Sequence, residues 1–287
     1  MTARILSGKE AAAALRAEIA GRVGALAADG KRVGLATLLV GDDPASAVYV
    51  RNKHKAAEAA GMRSFDIRLP ADAAQQEVEE AVAGLNRDDS VDGYIVQLPL
   101  PGHLDPGAVL AGMDPRKDAD GLHPVNLGRM VLEVPAPRPA TPTGILRLLD
   151  HYEIPTRGMR AVVVGRSTLV GRPLSVMLGS RGRDATVTVA HTGTADLAAV
   201  TSRADLLFVA AGRPGLITGS HVKPGAFVVD AGINHVDGHL VGDTVFGEVA
   251  DVAAGVTPVP GGVGPMTIAG LLYNTLLLAE PADSSAL

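Results

Sequence analysis

The 287-residue chain contains no cysteine and no tryptophan, and its four phenylalanines and four tyrosines make up 3% of it. Without cysteine there is no disulfide framework, no thiolate nucleophile and no zinc site built on sulfur. So few rings leave little to stack on bases, and a formal net charge of −5 does not attract a phosphate backbone, so nucleic acid is a poor partner. No apolar run reaches the length of a membrane span. Ser7 to Ala28 alternates apolar and charged residues like a surface helix, unlike a signal peptide. A cytoplasmic protein that does not engage membranes is expected. Lysine is also scarce, with six against twenty arginines. What is present is aliphatic: 47% of residues are hydrophobic, alongside 34 glycines and 19 prolines. Such a core suits buried parallel strands flanked by helices, in one large or two modest domains.

Ser7-Gly-Lys-Glu10 reads as a capping box opening a helix that Asp29-Gly30 stops near Ala28. Val33 to Val40 is an apolar run of strand length. Asp43-Pro44 restarts a helix that ends at Ala60-Gly61, with Asp43 as N-cap. Strand, helix and strand follow at Phe65–Leu69, Ala73–Leu85 and Gly93–Leu98. The β-α-β-α-β order predicts a parallel sheet. From Leu98 to Thr143 the chain is proline-dense and reads as a linker. A helix is expected from Gly144 to Tyr152. Strands are then expected at Ala161–Val164, Ala185–Ala190, Asp205–Ala210 and Ala226–Asp230, with helical or turn segments starting near Gly171, Thr194 and Gly219. That spacing is the rhythm of a doubly wound dinucleotide fold. Ile233–Val241 reads as a hairpin about Asp237-Gly238. A glycine-rich loop, Pro258 to Pro265, precedes a last helix, Met266–Ala279, and the tail after Pro281 is expected to fray.

Several segments suggest chemistry. Ala161-Val-Val-Val-Gly165 is a strand ending on glycine, and Gly171-Arg-Pro173 opens the helix behind it, where backbone N–H groups and the dipole favour a pyrophosphate. The spacing is not the generic Gly-x-Gly-x-x-Gly, so an ordinary tight turn stays open at this point. The next strand ends at Ala190-His191-Thr192 without the acid that holds a ribose 2′-hydroxyl, whereas Arg166 stands where a cation can meet a 2′-phosphate. That favours NADP over NAD, the alternative being that Arg166 is a solvated loop charge. Tyr49 and Lys53 lie four apart and share a helix face, a pattern that by itself also fits a half-buried tyrosine beside a solvated lysine. Only lysine, not arginine, can lose its proton near neutral pH when desolvated. Gln97 stands at the carboxyl end of a strand, where parallel sheets bind ligands. Asp118 and Asp120 lie in Lys117-Asp-Ala-Asp-Gly121, a pattern also common in plain Asp-Gly turns. His235 and His239 flank a hairpin tip and read as solvated, and no metal site is expected.

Together these segments resemble the bifunctional methylenetetrahydrofolate dehydrogenase/methenyltetrahydrofolate cyclohydrolases. The resemblance rests on Val40-Gly-Asp-Asp-Pro-Ala-Ser46 with Tyr49-Val-Arg-Asn-Lys53, Val96-Gln-Leu-Pro-Leu-Pro101, Lys117 to Pro124 and Thr141-Pro-Thr-Gly144. It continues through Val164-Gly-Arg-Ser167, Val170-Gly-Arg-Pro173, Asp230-Ala-Gly-Ile-Asn234 and Pro258 to Thr267, in family order.

The resemblance implies an α/β protein with two domains around a cleft: a smaller parallel-sheet catalytic domain over residues 1–139 and a Rossmann-like NADP-binding domain over 140–269. Residues 270–287 would be a helix returning to the catalytic domain. It implies a homodimer in one-carbon metabolism and purine biosynthesis, oxidising 5,10-methylene- to 5,10-methenyl-tetrahydrofolate with NADP and hydrolysing the product to 10-formyl-tetrahydrofolate. By position, Lys53 would be the catalytic amine, Tyr49 would stack near the folate, and Gln97, between Val96 and Leu98 in the folate site, would tune Lys53. Asp120 would hold the pterin. Gly165, Arg166, Ser167, Thr192 and Ile233 would line the NADP site. Pro260, Gly261, Gly262, Val263 and Gly264 would form a loop at the folate.

Four positions depart from the common pattern. Ala140 replaces a usual cysteine, Thr192-Gly193 replaces a frequent Ser-Arg, which bears on the strength of the NADP preference, and Ser7 replaces a frequent aspartate. Two other readings are a short-chain-type dehydrogenase and a non-catalytic NADP- or folate-binding regulator. In the first, the glycines precede the Tyr–Lys pair, whereas here they follow it. Against the second, Lys53, Gln97 and Asp120 are all retained.

Overall fold

The computed structural model describes residues 3–281, and of residues 44–48 the backbone alone. The frayed tail expected after Pro281 lies outside the described residues. The chain begins with strand β1 (Arg4–Ile5) and helix α1 (Gly8–Ala28). Ser7 caps α1, its Oγ accepting from the Glu10 amide at 3.3 Å. The other half of the expected box is diverted, because the Glu10 carboxylate accepts from the Tyr152 hydroxyl at 3.3 Å. Next come β2 (Gly34–Val40), α2 (Pro44–Ala59), β3 (Arg63–Leu69), α3 (Gln75–Arg87) and β4 (Gly93–Val96). This is the expected alternation.

The proline-dense stretch is no bare linker. It contains α4 (Pro106–Ala111), a 3-10 turn (Pro115–Lys117) and α5 (Pro124–Val131). In each, proline takes the first helical position, where an N–H would be unpaired anyway. The residue before it caps the turn: Asp105 Oδ1 accepts from the Gly107 amide at 2.8 Å, Asp114 Oδ1 from Arg116 at 2.8 Å, and His123 Nδ1 from Val125 at 3.1 Å. Proline read as a breaker is here a helix starter.

Helix α6 spans Ala140–His151 and so begins before Gly144. The second alternation is β5 (Arg160–Val164), α7 (Gly171–Gly179), β6 (Thr186–Ala190), α8 (Leu197–Thr201), β7 (Leu206–Val209) and β8 (Phe227–Asp230), with a 3-10 turn at Gly219–His221. The expected hairpin is present as β9 (Asn234–Val236) and β10 (His239–Val241), turning through Asp237 and Gly238 at φ +50° and +77°. Then come α9 (Phe246–Val252), β11 (Gly255–Val256) and α10 (Val263–Ala279). Strands β1 and β11 and helix α9 were not expected, since two-residue strands carry no readable period. Helix α10 starts at Val263 and not Met266, which puts Val263 and Gly264 in its first turn, where Pro265 is tolerated.

The chain forms two compact units. One joins Ala14–Ala140 with the chain from Ile268. Its sheet has the order β3-β2-β4, parallel throughout, with Leu38 opposite both Ile67 and Val96. All of β2 is buried, as a central parallel strand must be. Leu38, Val78, Val82, Tyr94 and Val109 belong to its core. From α10, Asn274 Nδ2 donates to the Ala119 and Arg138 carbonyls at 2.8 and 2.7 Å.

The other unit joins the chain up to Ala13 with Thr141–Thr267. Its parallel sheet has the order β1-β11-β8-β7-β5-β6. The chain start therefore sits apart from the rest of residues 1–139, because Arg4 pairs with Gly255. Val162, Leu207, Ile217, Val228 and Val249 belong to this unit's core. Leu207 is fully buried at the middle of β7. Leu207→Ala should destabilise the protein by about 2–5 kcal/mol through lost burial and a residual cavity; urea unfolding measures it.

Candidate active site

Helix α2 starts just beyond the carboxyl end of β2, which brings Tyr49 and Lys53 to that end of the sheet, one turn apart. Tyr49 is 40% exposed, so its ring is open to a ligand face. Lys53 is half-buried, and its Nζ donates to Gln97 Oε1 at 3.1 Å. Gln97 follows directly after β4, and its own amide donates to the Leu38 carbonyl at 2.8 Å, extending the ladder by one residue. Its Nε2 donates to the Leu98 carbonyl at 2.7 Å. That second bond fixes which end of the side-chain amide faces Lys53: the acceptor end.

Two environments act on the Lys53 amine. Burial lowers its pKa, because the charged form loses hydration; the negative charge of Asp120 pulls it back up. Burial likewise raises the Asp120 pKa, against the pull of Lys53 and with the push of Asp118. Asp120 comes near because Asp118 bridges to Tyr94 beside β4, and the Ala119 amide donates to the Tyr94 carbonyl at 3.2 Å. The two aspartates have parted roles. Asp118 is buried and accepts from the Gly121 and His123 amides at 2.9 and 2.8 Å and from Asn126 Nδ2 at 2.9 Å. It is the Asp-Gly turn that the sequence allowed. Of the neighbours of Gln97, the Val96 side chain is buried in the core and Leu98 is part-buried against it.

The five residues expected at the dinucleotide site all lie just past strand ends of the other sheet: Gly165, Arg166 and Ser167 after β5, Thr192 after β6, Ile233 after β8. The strand order reverses between β5 and β7, and open parallel sheets bind ligands at such a switch point. Gly165 has φ +118°, and a Cβ there would stand 2.2 Å from the Ala210 carbonyl oxygen. A Cβ on Gly171 would stand 2.2 Å from the Gly165 carbonyl oxygen. The two glycines thus do what the generic fingerprint does: a sharp turn, and close seating of α7 on the strand end. This cradle has the shape a pyrophosphate needs, and Arg166 and Ser167 are exposed on it. Ser167 Oγ accepts from the Val170 amide at 3.2 Å. His191 to Thr194 close a turn, with Thr194 N donating to the His191 carbonyl at 2.8 Å and Thr192 exposed. Ile233 is 49% exposed, unusual for an isoleucine at a sheet end and suited to an apolar ring. The fit to a dinucleotide is good.

The glycine-rich loop belongs to this second unit. Pro260 is exposed, Gly261 accepts from the Lys9 amide at 3.1 Å, and Gly262 and Val263 are buried. Gly264 is exposed in the first turn of α10. Among the described residues, no group of three or more His, Asp or Glu could hold a metal.

Sequence reasoning missed two sets of residues. His54, next to Lys53, is hydrogen bonded through Nδ1 to Ser64 Oγ, which ties α2 to β3 beside the amine. Asp230, the last residue of β8, and Asp243, two residues past β10, are buried. Asp230 stands in the Asp230 to Asn234 motif with no role read for it, and no local pattern marks Asp243, because the three amides its carboxylate accepts from lie 30 to 32 residues away.

Comparison with known proteins places these features. Residues 6–120 match the model for the tetrahydrofolate dehydrogenase/cyclohydrolase catalytic domain, and residues 139–283 match that for the NAD(P)-binding domain. The bifunctional protein FolD of Nitratidesulfovibrio vulgaris is 54% identical over 276 residues, covering 95% of this chain and 96% of that protein. The crystal structure of the bifunctional FolD methylenetetrahydrofolate dehydrogenase/cyclohydrolase from Campylobacter jejuni superposes with a TM-score of 0.93 at 44% identity, covering 96% of this chain and 98% of that one. The Trypanosoma brucei enzyme, solved with NADP and an inhibitor, gives a TM-score of 0.91 at 39% identity, covering 97% and 98%. With both domain models matched in order, the chain belongs to the tetrahydrofolate dehydrogenase/cyclohydrolase family.

Proposed function

We propose that this chain carries both activities of its family: it oxidises 5,10-methylenetetrahydrofolate to 5,10-methenyltetrahydrofolate with NADP and hydrolyses that product to 10-formyltetrahydrofolate. The observation that carries the reading is the half-buried Lys53 amine, lowered in pKa and held by the acceptor end of Gln97. The methenyl product is a cation and would repel an ammonium beside it. A neutral amine suffers no such repulsion and can take a proton from water as that water adds to the methenyl carbon. The carbon–N5 bond of the adduct then breaks as its hydroxyl proton leaves to solvent and the carbonyl forms, N5 takes up the proton held by Lys53, and the formyl group stays on N10. Gln97 accepts a hydrogen bond from one amine N–H and adds no charge, so the Lys53 lone pair is left for the water. Tyr49 lies one turn away with its ring exposed and covers the ligand face. Asp120 offers two acceptor oxygens to the paired N–H groups of the pterin.

NADP, when bound, supplies the hydride acceptor. Gly165 and the start of α7 would hold its pyrophosphate, Arg166, Ser167 and Thr192 the 2′-phosphate end, and Ile233 the nicotinamide end. The oxidation needs no protein nucleophile, only alignment of donor and acceptor carbons. The chain works as a cytoplasmic homodimer in this reading. The edge strand β6 supports the dimer, since it leaves one side unpaired and has Val189 38% exposed. No described helix is long and apolar enough to cross a membrane.

Replacing Lys53 with Met should lower cyclohydrolase kcat by about a hundred- to ten-thousand-fold, the usual loss for a general base. Binding of NADP, measured by titration, should be unchanged; full cyclohydrolase activity in that variant would sink the assignment. The pH dependence has a definite sign. Asp120 raises the Lys53 pKa, so Asp120→Asn should move the acid limb of the cyclohydrolase kcat profile to lower pH. A limb that stays in place or moves up contradicts the coupling. Removing the Arg166 cation with Arg166→Ala should cut the NADP-over-NAD ratio of kcat/KM by about ten- to a hundred-fold, the worth of one charge-assisted contact. An unchanged ratio would place the 2′-phosphate elsewhere.

A further inference from the structure

Asp243 lies two residues past the end of β10 and is wholly buried. Its carboxylate accepts from three successive amides, Ala211, Gly212 and Arg213, at 2.7, 2.9 and 2.8 Å. It also accepts from Asn234 Nδ2 at 2.8 Å. The first three lie in the loop beyond β7, and Asn234 directly follows Ile233 beyond β8. One side chain therefore ties together the loops at two adjacent strand ends. Its own backbone is held in turn: the Asp243 amide donates to Asp230 Oδ1 at 3.1 Å. Asp230 further accepts from the Gly232 and Thr244 amides at 2.8 Å each and from the Thr244 hydroxyl at 2.7 Å. An acceptor-only carboxylate is the one short side chain that can satisfy four converging donors.

We propose that Asp243 is a positioning residue for the nicotinamide half of the cofactor site. A doubly wound sheet binds a dinucleotide across its switch point, one mononucleotide on each half. Here β5 and β6 carry Arg166 and Thr192 on the 2′-phosphate half, so β7 and β8 face the nicotinamide half. Three peptide units aimed at one carboxylate fix the path of the β7 loop. The bond to Asn234 fixes the segment that presents Ile233. Asp243 touches no substrate; it sets the distance between the two walls against which the nicotinamide must lie for hydride transfer. The inference rests on the NADP reading above.

The test compares Asp243→Asn with the wild type. The amide turns a donor toward donors and should release the loop. The expected result is at least a tenfold rise in the NADP dissociation constant and at least tenfold faster hydrogen exchange at the amides of residues 211–213. Cyclohydrolase activity, which needs no cofactor, should stay within twofold, and the NADP:NAD ratio should not change. A purely structural role would lower the melting temperature and both activities in parallel, and that outcome overturns the proposal. So does unchanged NADP binding in the folded variant. If Asp243→Asn does not fold, Asn234→Ala decides: about a threefold weaker NADP affinity supports the proposal, and unchanged affinity overturns it. Wild-type protein that binds no NADP would instead overturn the cofactor reading beneath it.

Discussion

Both main sheets are parallel throughout, and a parallel sheet must bring every strand-to-helix loop out at the same edge. The chemistry of each unit follows from that constraint. In the three-stranded sheet the carboxyl edge collects the start of α2 with Tyr49 and Lys53, the end of β4 with Gln97, and the segment alongside it with Asp120. In the six-stranded sheet the same edge collects the glycine turn after β5, the His191 turn after β6 and the Ile233 segment after β8. Residues scattered along the chain become neighbours because the hydrogen-bond ladder permits no other placement of strand ends.

Lys53 is held between opposing electrostatic demands. Burial favours the neutral amine, and Asp120 favours the ammonium. Gln97 adds a fixed acceptor without adding charge, and its orientation is locked by the Leu98 carbonyl. A carboxylate in place of Gln97 would pull the lysine toward its charged form, as Asp120 already does. An arginine in place of Lys53 could not lose its proton at all. In a chain with few lysines, the proposed chemistry draws on the one property that arginine lacks.

Buried aspartates serve a different purpose. Asp118, Asp230 and Asp243 each accept from several backbone amides, fastening loops that carry no regular ladder. Loops at the carboxyl edge leave N–H groups without strand partners, and buried unpaired donors are costly. One carboxylate satisfies several of them at a time. Asp118 sits close to Asp120 in sequence, and Asp243 fastens the loops past β7 and β8, so the fasteners lie where the proposed site needs rigid walls.

Much of this was legible in order. The alternation of apolar runs and capped helices marked both sheets, the two hairpin strands and the long helices. The four-residue spacing of Tyr49 and Lys53 by itself puts them on one helix face. Short elements are illegible: β1 and β11 are two residues each, and among so many prolines between Leu98 and Thr143 those that start α4, the 3-10 turn and α5 read as breaks. The sequence by itself determined which residues could do the chemistry: a lysine able to titrate, an uncharged acceptor, and glycines where backbone must meet backbone. Tertiary structure alone decided which of them meet. Gln97 reaches Lys53 across 44 residues, and Asp243 reaches Ala211 across 32. Periodicity tells which face of an element is buried, but not which partner lies against it. Titration depends on that partner and on the water it displaces, so the state of the Lys53 amine is a property of the fold.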